Sequence, residues 1–208
     1  EGTFSNNGDG TFNYDPGADF QSLAVGETQT VALTYTATDD SGTDLATSEN
    51  GSVTITVTGT NDAPTVTSID AGTANEDGST VTINLLATAN DVDGDDLDTS
   101  SVVVTSSDSR TVSFSVVNET GVLSIDPGQF NDLALSESLT LTASYNVIDG
   151  NGGLVANTAT LVITGKNDVP TVTDLAVSAN EDGGAVTNIS FLGSDVDTSD
   201  TLTYSITN

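Results

Sequence analysis

Two copies of one short motif constrain this chain most: Gly59-Thr60-Asn61-Asp62-Ala63-Pro64 and Gly165-Lys166-Asn167-Asp168-Val169-Pro170. Each closes a run rich in Val, Ile, Leu and Thr, and each is followed by Thr-Val-Thr. Proline lacks a backbone donor and biases the residue before it towards extended geometry, so each motif reads as a strand leaving one domain for the next. The copies lie 106 positions apart, close to the ~100 residues of one immunoglobulin-type sandwich. The chain is therefore expected to be a tandem array with Asn-Asp at its joints.

A second set of repeats fixes the phase of the array. Gly10 to Gly17 (with Asp15-Pro16-Gly17 as its stop) recurs as Gly121 to Gly128, with Asp126-Pro127-Gly128. Phe20, Leu23 and Glu27 recur 110 positions on as Phe130, Leu133 and Glu137. Val31, Leu33, Tyr35 and Ala37 form one strand face, repeated by Leu139, Leu141, Ala143 and Tyr145, and the turn Asp39-Asp40-Ser41-Gly42 returns as Asp149-Gly150-Asn151-Gly152. After each joint come Asn75-Glu76-Asp77-Gly78 or Asn180-Glu181-Asp182-Gly183, then Asp91-Val92-Asp93 or Asp195-Val196-Asp197. Residues 1–60 thus read as the closing half of one domain, 61–166 as a complete one and 167–208 as the opening part of another. Residues 201–208 followed by 1–4 read as one continuous β segment. The expectation is a two-domain window of a longer periodic fibre, its split domain completed by the same chain or by a neighbour.

Within 61–166 seven short strands are expected, near 65–69, 80–87, 101–107, 111–117, 121–125, 138–147 and 155–164. No segment carries a long 3.6-residue apolar period. The fold class is all-β: tandem immunoglobulin-like Greek-key sandwiches joined end to end.

The charge decides which functions remain. There are 31 acids against two bases, Arg110 and Lys166, and a formal net charge of -29. Two cations cannot track a phosphate backbone or hold an anionic membrane, which excludes nucleic acid and lipid surfaces as partners. No apolar run reaches the ~18 residues of a membrane span, so direct membrane insertion is not expected. Most of the acids are Asp, which suits turns and hard-cation ligation.

Strand parity collects these acids at the two ends of each sandwich. If the first strand descends from its joint, the second returns Asp91 and Asp93 to that joint, and the penultimate strand carries Asp149 up from Glu137. One joint gathers Glu27, Asn61, Asp62, Asp91, Asp93 and Asp149. The other gathers Glu76, Glu137, Asn167, Asp168, Asp195 and Asp197. Converged carboxylates repel unless neutralised, and a divalent cation taking six to eight oxygens is the fitting counter-ion. Ca²⁺ tolerates irregular geometry better than Mg²⁺. The absence of His and Cys argues against zinc or copper. Asp91-Val92-Asp93-Gly94 is not an EF-hand loop, because its glycine falls at the fourth position and not the sixth. Asp95, Asp96 and Asp98 read as solvated or as outer neighbours, and Asp9, Asp44, Asp108 and Asp132 as surface turn residues.

These residues resemble the cadherin-like repeats, often called VCBS-type, of large bacterial surface proteins and secreted adhesins. The resemblance covers the whole chain and rests on Phe20 to Glu27, Tyr35 to Gly42 with Tyr145 to Gly152, and the Gly-Thr-Asn-Asp-Ala-Pro joint. It implies Ca²⁺ at each joint, held by Glu76, Glu137, Asn167-Asp168 and Asp195/Asp197, and by Glu27, Asn61-Asp62 and Asp91/Asp93, with Asp149 as the additional Asp. The linker carries fewer acids than the animal cadherin motif. The implied setting is extracellular, on a bacterial surface, with neighbouring copies of the repeat as head-to-tail partners in an extender, adhesin or matrix fibre. A glycan- or protein-binding module is the alternative, though there is no Trp and the Tyr and Phe fall mostly at inward positions. A two-carboxylate hydrolase would need a cleft that nothing in the sequence foresees, so no enzyme is expected. A Lys–Asn crosslink would have only Lys166, placed in a linker.

Overall fold

Period-two alternation of apolar residues with Thr and Ser dictates pleated strands, and strands are what form. The computed structural model describes residues 2–42 and 47–207; Asp44 lies outside them. A short hairpin opens the chain, β1 (Thr3–Asn6) against β2 (Phe12–Asp15), with Phe4 opposite Tyr14. A longer one follows, β3 (Thr28–Tyr35) against β4 (Gly51–Thr58), antiparallel over its full length.

The next seven strands build a sandwich. One sheet has the order β5-β11-β10-β7, from β5 (Ile69–Asn75), β7 (Asp98–Ser106), β10 (Ser138–Ile148) and β11 (Leu154–Thr164). The other has the order β6-β9-β8, from β6 (Val81–Asn84), β8 (Phe114–Val117) and β9 (Val122–Ile125). β5 runs parallel to β11, whereas β9 runs antiparallel to both β6 and β8. Between the layers lie Ile83, Leu85, Leu123, Ile125, Phe130, Leu139, Leu141, Tyr145, Leu161 and Ile163, all buried. Each large aliphatic side chain taken out of water contributes about 1.5–3 kcal/mol. The Tyr145 hydroxyl donates to the Leu85 carbonyl (2.9 Å) and accepts from Asn157 Nδ2 (2.9 Å), so its polar tip is satisfied inside the core. Two strands end the chain, β12 (Thr171–Thr173) paired antiparallel with β13 (Leu192–Ser194).

The first strand of the sandwich departs from the expectation. It was placed near 65–69 but forms at Ile69–Asn75. Thr65 makes only an isolated bridge, exchanging both backbone hydrogen bonds with Asn90, before the chain crosses to β11. The register slips between Thr160 and Val162, and Gly72 takes φ 77° on the bulging side, a conformation that glycine adopts without penalty. The second strand, expected over 80–87, stops at Asn84, whose side chain accepts from the Leu86 N–H and turns the chain.

The structure gathers into two compact units. One comprises Glu1–Thr67, Thr88–Ser100 and Asn146–Ala156; the other comprises Ser68–Ala87, Ser101–Tyr145 and Asn157–Asn208. Among the described residues, no helix is long and apolar enough to cross a membrane.

Candidate functional site: two acidic clusters

The first cluster lies wholly within the first compact unit. Asp91 Oδ1 accepts from the Asp93 N–H (2.8 Å), the short-range bond that Asp makes in a tight turn, and this aims both carboxylates at one side of the loop. Asp93 Oδ2 accepts from the Asp62 N–H at 2.7 Å, fastening the loop to the Asn-Asp motif. Asn61 Nδ2 donates to Asp149 Oδ2 (2.9 Å) and to the Asp62 carbonyl (3.1 Å). Asp149 is buried, and its Oδ1 accepts from the N–H groups of Asn151 and Gly153. Burial pushes the Asp149 carboxyl up, but the bonds from Asn61, Asn151 and the glycine turn outweigh it and hold it below the usual carboxylate range. A side chain on Gly153 would put its Cβ 1.9 Å from Asp149 Oδ2, so only glycine lets the turn close here.

The carboxylate of half-buried Asp95 lies beside this group. One oxygen each of Asp91, Asp93 and Asp95 lie within 4.8 Å of one another, and Asn151 Nδ2 fixes Asp95 Oδ2 at 2.7 Å. The sequence signal was its spacing, a third Asp two residues beyond Asp93. Glu27 approaches through its backbone: the Gly59 N–H donates to the Glu27 carbonyl (2.8 Å), while its exposed carboxylate accepts from Ala24 N–H. Glu27 is not a member of the group of three.

The second cluster, within the second compact unit, repeats the wiring. Asp195 Oδ1 accepts from the Asp197 N–H (3.1 Å), Asp197 Oδ2 from the Asp168 N–H (2.9 Å), and Asn167 Nδ2 donates to the Asp168 carbonyl. Glu137 repeats Glu27: its carbonyl accepts from the Gly165 N–H (2.9 Å) and its carboxylate from Ala134 N–H (3.0 Å). Gly165 is required where it passes this turn, because a Cβ would meet the carbonyl oxygens of Ala134 and Leu133 at 2.3 and 2.4 Å. Glu76 is only 1% exposed and accepts from the backbone N–H groups of Leu133 and Lys166. Burial pushes its carboxyl above the ordinary 4.5; those two bonds oppose the shift and nearby Asp197 and Asp77 reinforce it. Asn131, which sequence reasoning missed, donates from Nδ2 to Asp168 Oδ2 at 2.7 Å. No acidic spacing marks it. The second loop has Thr198-Ser199 where the first has Gly94-Asp95, and Thr198 instead bonds the Asp132 carbonyl.

What these clusters lack is a donor. Asn61 Oδ1, Asp91 Oδ2, Asp93 Oδ1 and Asp197 Oδ1 are buried acceptors without a hydrogen-bond partner, a costly state for a polar atom in native protein. Neither basic side chain supplies the charge. Arg110 is engaged by Asp108 and Asp132, both at 2.6 Å, with its guanidinium 5.7 Å from the centre of the Phe130 ring. Lys166 Nζ approaches Asp77 at 3.7 Å, with both side chains substantially exposed. Carboxylate, amide and carbonyl oxygens with no nitrogen or sulfur ligand are the donor set of a hard divalent ion such as Ca²⁺.

Fold and clusters define a class, an all-β sandwich module carrying oxygen-rich, acidic loop clusters. Residues 60–164 match the family model described as Cadherin-like domain, just over half of the sequence, and the chain belongs to that family. No curated protein matches it. Among solved structures it is similar to the human desmocollin-1 ectodomain, at 19% identity over 83% of this chain and 33% of that one, with a TM-score of 0.38. It is similar to the protocadherin GammaB4 extracellular domain at 16% identity over 95% and 33%, TM-score 0.47. Mouse cadherin-23 EC22-24 aligns at 19% identity over 65% and 42%, TM-score 0.36. The chain thus spans less than half the length of these structures, and the family assignment rests on the family model.

Proposed function

We propose that this chain is a structural extender repeat of a bacterial cell-surface or extracellular fibre or adhesin, stiffened by Ca²⁺ at its interdomain joints. In this reading 1–60, 61–166 and 167–208 are the closing part of one domain, a complete domain and the opening part of a third. The first joint ion or ions would be held by Glu27, Asn61, Asp62, Asp91, Asp93, Asp95 and Asp149. The second set would be held by Glu76, Asn131, Glu137, Asn167, Asp168, Asp195 and Asp197. The partners are calcium and neighbouring copies of the repeat, and the role is mechanical and adhesive, not enzymatic.

The observation that carries the reading is the set of four buried, unpartnered acceptor oxygens, three of them in one cluster. A bound cation would neutralise the repulsion that otherwise opposes folding of these loops. Extracellular modules bind Ca²⁺ with dissociation constants of roughly 10⁻⁴–10⁻³ M, and an ion at 100 times that value adds about 2.7 kcal/mol per independent site. Calorimetric melting of the full chain in excess chelator and in a Ca²⁺ titration tests this. A higher melting temperature with Ca²⁺, and a smaller response to Mg²⁺, is expected. Identical melting with and without Ca²⁺ overturns the reading.

A further inference from the structure

The two acidic loops begin alike and then part. In both, the second Asp of Asp-Val-Asp fastens the Asn-Asp motif, accepting from the Asp62 N–H at 2.7 Å or the Asp168 N–H at 2.9 Å. The first loop continues through Gly94 at φ 77°, in the left-handed region that glycine enters without penalty. Beyond it, one oxygen of Asp95 lies within 4.8 Å of oxygens of Asp91 and Asp93. The second loop has Thr198 at that place, a β-branched residue for which left-handed backbone is strained, and its φ is not positive. The chain turns instead through a bond from the Asp200 N–H to the Asp197 carbonyl at 3.1 Å. Ser199 brings no third carboxylate.

Where the first loop has that carboxylate, the second has protein donors. Thr198 donates from its N–H and from its hydroxyl to the Asp132 carbonyl, both at 3.3 Å. The Asp132 carboxylate is in turn held by Arg110 at 2.6 Å, and Arg110 lies over the buried Phe130 ring. The preceding residue, Asn131, donates from Nδ2 to Asp168 Oδ2 at 2.7 Å. Asn131 and Asp132 thus hold the motif and the loop from one point on the sandwich. The corresponding pair in the first unit is Gln21-Ser22, 110 positions earlier. Ser22 has no charge to anchor, and Gln21 and Asp62 both line a cavity of about 150 Å³.

We infer that Arg110, Asn131 and Asp132 form a clasp that orders the second acidic loop without a cation, so that Ca²⁺ orders only the first. An amide N–H and a guanidinium satisfy carboxylates directly, by charge-assisted bonds. Three converged carboxylates with buried, unpartnered oxygens need an added positive charge. The second cluster retains one such oxygen, Asp197 Oδ1, and so can still take a cation; the clasp makes its order independent of one. Of two loops built on the same Asp-Val-Asp start, one is a cation-dependent switch and the other is fixed. The switching of the first loop rests on the calcium reading above, whereas the clasp stands without it.

Amide hydrogen exchange of the full chain, followed by NMR in chelator and in Ca²⁺, reads both loops at equivalent reporters, the Asp62 and Asp168 N–H groups. In chelator the Asp168 protection factor should exceed that of Asp62 by about tenfold or more, which one hydrogen bond to a charged group suffices to give. Ca²⁺ at 100 times its dissociation constant should raise Asp62 protection by about 100-fold and Asp168 protection by less than about tenfold. Asn131→Gln with Asp132→Ser installs the first unit's own pair. In chelator it should bring Asp168 down to the protection of Asp62 and make it answer to Ca²⁺, while protection along β10 shows that the sandwich is intact. Thr198→Gly with Ser199→Asp, at two exposed positions, should likewise lower Asp168 protection in chelator and restore it in Ca²⁺. Equal protection of the two reporters in chelator, or an Asp168 amide indifferent to both paired substitutions, overturns the clasp. A protected Asp168 beside an Asp62 amide that ignores Ca²⁺ leaves the clasp standing and overturns the calcium reading at the first cluster, and with it the switch.

Discussion

Replacing Asp93 by Asn should reverse its effect on stability between calcium and chelator. The side chain has two tasks. Its Oδ2 accepts from the Asp62 N–H at 2.7 Å, and its Oδ1 is buried among acids without a donor. Asparagine keeps one acceptor oxygen for Asp62 and removes the charge. Oxygens of Asp91, Asp93 and Asp95 lie within 4.8 Å of one another, a separation at which two unit charges repel by about 0.9 kcal/mol in water and about 3.5 kcal/mol at an effective dielectric of 20. A half-buried loop lies between those limits, so in chelator Asp93→Asn should be neutral or stabilising, by about 1–2 kcal/mol. With Ca²⁺ in hundredfold excess over its dissociation constant the parent gains about 2.7 kcal/mol at this site, worth about 10–20 °C for a domain of this size. The variant should gain little of it. Melting both proteins by calorimetry in chelator and in 10 mM Ca²⁺ should give curves that exchange order. A variant destabilised equally in both buffers would show that Asp93 serves only as a loop fastener, and one that keeps the whole Ca²⁺ increment would remove it from the ligand set.

Glu76 should make stability in chelator depend on pH above its ordinary value of 4.5. Its folded-state pKa is raised, so the native protein retains a proton that the unfolded chain has released, and this contribution, complete below 4.5, is lost as pH rises through the folded value. Denaturant unfolding from pH 4 to 8 should show that falling limb, flattened by Glu76→Gln; an unchanged slope in the variant rules out Glu76 as its source. Gly165→Ala should destabilise by about 1–3 kcal/mol through overpacking against the Leu133 and Ala134 carbonyls. Gly184→Ala, with nothing within 4 Å and no positive φ, should be nearly neutral, and equal urea midpoints for the two would refute the close-approach argument. Tyr145→Phe removes the hydroxyl that donates to the Leu85 carbonyl and accepts from Asn157 Nδ2 inside the core and should cost about 1–3 kcal/mol, whereas retained stability would mean that water replaces the hydroxyl.

The periodicity of this sequence determined a good deal. Alternation along Ser138–Ile148 placed every second residue of β10 in the core, because a strand's two faces follow directly from residue order. The repeat of Asn-Asp and Asp-x-Asp placed the fastening bonds Asp62–Asp93 and Asp168–Asp197 in equivalent positions. Tertiary structure decided what depends on partners remote in sequence. β5 formed late and parallel to β11 because the edge available to it begins opposite Ala159, which nothing local to Thr65 reveals. Asp95 is held by Asn151, 56 residues away, and Asn131 reached Asp168 across 37. Tyr35 and Tyr145 share the same local pattern, yet one is exposed and the other buried. Residue alternation sets which face of a strand is apolar; burial of that face depends on a second layer to cover it.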